Sequence, residues 1–206
     1  MKLRAISLSL AAWTLAVCAT GAAAQTVVNI NGAGSTGAGA NIFAYPVAPG
    51  SVVSLFNPVL LDMAAGDYQL KDAWGLAGAL YDTWNFEQSA PGSWASHFVA
   101  AEVLGGGQYK VLVDGVSLLD PTCKNHFCAW DTQAQASAAF LATPAFSMHL
   151  DHAMTVAFVS ADYYLPDNLG GISLLVTAVP EPASFGLLLL GLLGLSARRL
   201  QSKRPG

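Results

Sequence analysis

Between residues 25 and 177 the chain has no arginine and only three lysines, Lys71, Lys110 and Lys124, against twelve acids from Asp62 to Asp167. Three against twelve leaves a net charge of −9, which the whole-chain value of −4 hides because the other six basic residues sit at the two ends. So few cations cannot neutralise a phosphate backbone, which excludes nucleic acid as a partner and leaves Ca²⁺ or cationic groups as counterparts. Cysteine is also scarce. Of three, Cys18 lies in the N-terminal apolar run, and Cys123 and Cys128 remain. In an oxidising compartment such a pair most simply closes one disulfide around residues 124–127. The rival is a metal site using both thiolates and His126, but zinc wants a fourth ligand and there is no second cysteine pair. No serine stands in a Gly-x-Ser-x-Gly elbow, and no nucleophile, base and orienting acid form a recognisable set. The chain is therefore expected to be no enzyme and to need no cofactor, Ca²⁺ being the one ion that its loops could take.

The ends read as processing segments. Lys2 and Arg4, the apolar run 6–17 and the small residues Ala22, Ala23 and Ala24 make residues 1–24 a secretory signal peptide. That run falls short of the roughly 20 apolar residues a membrane span needs. At the other end, Pro180 and Pro182 stop any ladder or helix, and residues 183–197 carry no charge. Arg198 and Arg199 follow at once, with Lys203 and Arg204 beyond, and cations in that position hold their side of a span in the cytoplasm. Residues 183–197 are thus expected to form a transmembrane helix.

What lies between divides into a Gly/Ala-rich N-terminal segment, 25–50, and an exported domain, 51–178. Short apolar runs broken by turn residues, at 26–30, 51–56, 59–61, 68–70, 108–113, 116–119, 145–150, 154–160 and 171–177, have the period of strands. Only residues 132–141 suggest a helix. Asp114-Gly115 between two of these runs predicts a two-residue hairpin turn. The fold class is all-β, an antiparallel, jelly-roll-like β-sandwich of roughly eight to ten strands. Gly32, Gly34 and Gly37 match Gly-x-Gly-x-x-Gly, but Pro46 and Pro49 follow where a dinucleotide site needs a helix.

Three sets of residues invite a binding role. Trp74, Trp84 and Trp94 recur every ten residues. Trp74, Tyr81 and Trp84 could stack on sugar rings beside the carboxylates Asp82 and Glu87, although indoles more often fill a core. Asp162, Asp167 and Asn168 cluster oxygen donors on one predicted loop, as Ca²⁺ prefers, without EF-hand spacing; an ordinary turn uses the same residues. His149 and His152 are the one close histidine pair, and on a strand they would face opposite sides.

Val179-Pro180-Glu181-Pro182, the Gly- and Leu-rich run and Arg198-Arg199 resemble the C-terminal signal of PEP-CTERM proteins. These are exported bacterial proteins, and residues 179–206 would be the sorting signal. The resemblance implies an exosortase, a membrane transpeptidase-like cysteine protease, that recognises the motif and removes the tail. It further implies an inner-membrane stage, a final place at the cell surface or in the extracellular matrix, and exopolysaccharide as a neighbour. Residues 167–174 also look like the end of exported domains found before this signal.

Overall fold

β-branched and aromatic residues separated by Gly, Pro and Asp turns build strands, and a computed structural model of the chain places eleven of them among the residues it describes. Those residues are 23–33, 47–115, 128–162 and 164–180, all in one unit, Ala23–Pro180. Residues 1–22 of the expected signal peptide, the apolar run 183–197, Glu181, Pro182, Arg198, Arg199 and Cys123 lie outside them. In chain order the strands are β1 (Gln25–Asn31), β2 (Val52–Ser54), β3 (Val59–Met63), β4 (Gly66–Asp72), β5 (Trp84–Asn85), β6 (Trp94–Ala95), β7 (Phe98–Gly105), β8 (Gln108–Asp114), β9 (Phe146–Leu150), β10 (Met154–Ser160) and β11 (Leu169–Val179). Among the described residues one α-helix, α1 (Gln133–Ala142), lies between β8 and β9.

The strands form two antiparallel sheets. One runs β6-β5-β11-β4-β9, with β1 also paired to β11; the other runs β2-β8-β7-β10-β3. The first is assembled on β11, which pairs with β1 over Gln25↔Thr177 to Asn31↔Gly171 and with β4 over Leu174↔Asp72 to Val179↔Asp67. Residues 25–31, at the start of the Gly/Ala-rich segment 25–50, are thus a strand of this sheet, and Val28 and Ile30 enter its core.

The two sheets share one apolar core. Alternation in β9 turns Phe146, Met148 and Leu150 inward and leaves Ser147 and His149 outside. Phe98 of β7 meets the edge of Phe146 with ring centroids 5.1 Å apart, and Phe140 of α1 closes over it at 6.5 Å. Ile172, Leu174 and Val176 of β11 complete the interior from the first sheet. Each such side chain, fully buried, contributes roughly 1.5–3 kcal/mol. The second sheet is apolar on its other face as well, where Val99, Ala101, Val111, Ala157 and Val159 pack with Val47 and Leu55.

Two local readings change. Asp114-Gly115 is no hairpin turn: Asp114 ends β8 opposite Val99 and accepts the Val47 N–H at 3.1 Å. Gly115 is glycine because a Cβ there would lie 2.5 Å from the Phe98 ring. The tight hairpin joins β7 to β8 instead, through Gly105, Gly106 and Gly107, all at positive φ, where side chains are strained. The helix forms as expected. Thr132 caps it, its hydroxyl accepting the Gln135 N–H while the Gln135 side chain accepts the Thr132 N–H.

Candidate functional site

The end of β11 is where the fold meets the linear motif. Antiparallel pairing turns the main-chain groups of successive residues to alternate neighbours. Accordingly the Ala178 N–H goes to the β1 side, donating to the Ala24 carbonyl at 3.0 Å, while Val179 lies opposite Asp67 of β4. Pro180 has no N–H to donate, and the strand stops there. The row continues across the sheet. Asp67 lies opposite His149 of β9 and its carboxylate holds the His149 Nδ1 at 2.6 Å, while Asp151 reaches Nε2 at 3.1 Å. Both carboxylates face the imidazole and raise its pKa above the ordinary 6.5, the Asp67 hydrogen bond contributing most. The rim thus carries Ala24, Val179, Asp67 and His149 side by side. Sequence reasoning found Val179 and Pro180 but missed Ala24, Asp67 and His149 as its neighbours, because register between distant strands leaves no local signal.

The aromatic residues separate. Trp84 is fully buried, its Nε1 donating to the His97 carbonyl at 3.2 Å and its ring meeting those of Phe86 and His97 edge-on. It is a core residue and can offer no face to a sugar. Trp74 is half exposed, its N–H bonded to an Asp72 carboxylate oxygen at 2.9 Å, and Leu76 and Leu80 stand exposed in the same loop. Tyr81 is partly covered, with its N–H on the Ser173 hydroxyl. Asp72 and Asp82 both have pKa values raised chiefly by burial, and the charge of Asp82 adds to the effect at Asp72.

His97 is the other buried polar group in this region. Its Nε2 donates to the Cys128 carbonyl at 2.9 Å, Nδ1 has no partner among the described residues, and burial drives its pKa down to about 4. Cys128 is itself buried, while Cys123, its expected partner, falls outside the described residues.

The predicted oxygen cluster lies between β10 and β11. Asp162 and Asn168 are buried, and Asp167 ends a single 3-10 turn, Leu165–Asp167. Asn168 Nδ2 donates to the Gly32 carbonyl at 2.9 Å, while Asn168 Oδ1 and Asp167 Oδ1 are buried without a partner among the described residues. His149 is held by Asp67 and Asp151, while His152 Nε2 stands 3.9 Å from Glu102. Among the described residues no group of three or more His, Cys, Asp or Glu side chains is arranged to hold a metal ion. Among them, too, no helix is long and apolar enough to cross a membrane.

Comparison with known families gives one match. Residues 178–200 match the PEP-CTERM protein-sorting motif, so the chain is similar there to proteins carrying that C-terminal signal. Its first two residues, Ala178 and Val179, are the last two of β11. Neither the search of curated proteins nor that of solved structures found a match.

Proposed function

We propose that the chain is an exported, non-enzymatic surface or matrix protein, delivered by the signal peptide 1–24 and sorted by an exosortase through Val179, Pro180, Glu181 and Pro182. The single observation carrying this reading is the sorting-motif match at residues 178–200, which begins on the rim of a folded β domain. In this reading residues 183–197 anchor the precursor in the inner membrane, with Arg198 and Arg199 on the cytoplasmic side. The two sheets form a jelly-roll-like module, and Cys123 and Cys128 join in the oxidising compartment. Intact mass of the cell-surface form tests it. Loss of the tail beyond the Pro-Glu-Pro motif is expected, and loss should fail in Glu181→Ala; a surface form retaining residues 187–206 would contradict the reading.

A second reading, a Ca²⁺-assisted carbohydrate-binding adhesive module, draws on two observations. Asp167 and Asn168 each keep a buried oxygen unpartnered among the described residues, and Trp74 is half exposed beside Leu76 and Leu80. Ca²⁺ titration by calorimetry, followed by glycan titration of tryptophan fluorescence, separates it from the first. Heat on Ca²⁺ addition with quenching by exopolysaccharide supports an adhesive module, and neither signal removes it.

A further inference from the structure

The domain leaves no spacer before the motif. The matched segment starts at Ala178, yet Ala178 lies opposite Tyr68 and Val179 opposite Asp67 in the ladder with β4, directly after the Thr177↔Gln25 pair that remains once residues 1–24 are removed. An enzyme that draws a substrate into a cleft as an extended strand reads it through main-chain N–H and C=O groups. Ala178 and Val179 are already paired in the sheet, in register with Tyr68 and Asp67. Displacing them would disturb the register of β11, on which β1 and β4 both assemble. Cutting before Val179 would shorten the strand that holds the first sheet together.

We propose that β11 acts as a stop for the sorting enzyme. The folded sandwich withholds Ala178 and Val179, so the enzyme reaches Val179 only when the strand end opens, it cuts the chain beyond Val179, and the absence of a spacer holds the rate of processing down. The inference rests on the exosortase reading above and adds a specificity element to it, namely the strand end and not only the linear motif. The reaction itself is ordinary acyl transfer. The enzyme's thiolate displaces the C-terminal fragment as an amine, and water or an acceptor amine then releases the domain from the thioester.

The full-length precursor, expressed in a host that carries an exosortase, provides the test. Two measurements are made: the C-terminal residue of the released domain by mass spectrometry, and the rate of tail loss in a pulse-chase. Wild type is compared with a variant carrying six Gly/Ser residues between Thr177 and Ala178, which leaves the matched segment 178–200 intact, and with Glu181→Ala. The cut is expected beyond Val179. The spacer should speed tail loss by about five- to thirtyfold, the factor expected when one or two ladder hydrogen bonds no longer have to open. A cut at or before Val179, or a spacer variant processed at the wild-type rate, overturns the stop while leaving sorting intact. If wild type keeps its tail, or Glu181→Ala loses it as fast as wild type, the sorting reading itself fails and the stop falls with it.

Discussion

Gly171→Ala puts the architecture of the first sheet to the test with a single methyl group. Gly171 sits in β11 opposite Asn31, and its φ lies outside the left-handed region, so alanine brings no backbone strain. The difficulty is space. A Cβ would overlap the Ile30 carbonyl oxygen and stand 2.8 and 3.0 Å from two atoms of the Tyr81 ring. A carbonyl held in a ladder cannot swing aside as a side chain can, so β1 must shift outward. Overpacking of this kind costs about 1–3 kcal/mol. Restricting the unfolded chain returns about 0.4–1 kcal/mol, so the net loss is about 1–2 kcal/mol. For a domain of this size that lowers the melting temperature by about 2–8 °C. Urea unfolding should show a lower midpoint at unchanged slope, and amide exchange should quicken first in residues 28–31. Gly75→Ala is the control, because Gly75 has φ 84° and nothing within 4 Å of a built Cβ. Its cost is backbone strain alone, about 1–2 kcal/mol, and should leave exchange in β1 untouched. A Gly171→Ala protein with the wild-type midpoint and undisturbed β1 amides would refute the close packing of β1, β11 and Tyr81.

Two histidines set opposite pH limbs. The His97 pKa falls from 6.5 to about 4 on folding, so between those values the unfolded chain binds the proton and the folded one does not. Stability is complete above pH 6.5 and declines as pH drops toward 4, by roughly 3 kcal/mol in all. His97→Gln should flatten this limb in melting curves, and an unaltered acid limb would refute the assignment. His149 behaves in the reverse sense. Its raised pKa makes its contribution complete below 6.5 and lost as pH climbs through the folded value. Melting temperatures of wild type and His149→Gln should differ most in mild acid and converge in alkali; a difference that widens in alkali would contradict the Asp67 and Asp151 contacts.

Strands that alternate, or that form an apolar run bounded by turn residues, were legible, and β7, which does neither, was not. β9 shows its period in Phe146, Met148 and Leu150, and β10 stood out as an unbroken apolar run between turn residues. β7, central in the second sheet, reads Phe-Val-Ala-Ala without a period because Phe98 and Ala100 face one core and Val99 and Ala101 the other. Local turn chemistry pointed to Asp114-Gly115, but the Phe98 ring, brought in by strand pairing, decides the conformation there. The even spacing of Trp74 and Trp84 implied no common surface, because the loop between β4 and β5 intervenes and only Trp84 enters the core. The sorting motif was readable because it acts as a linear sequence. Its seating between Ala24 and Asp67 was not, since that depends on a register spanning most of the chain.

That β11 carries the pairing of β1, β4 and β5 also constrains the order in which the domain closes. It is the last strand to be made, and its partner β1 is the first. Until residue 179 has emerged, β1 has no ladder to join and one side of the shared core stays open. Contacts this distant along the chain close late and slowly. A chain made from its N-terminus therefore keeps the first sheet open, and the domain closes only when the segment that begins the sorting-motif match arrives to complete it.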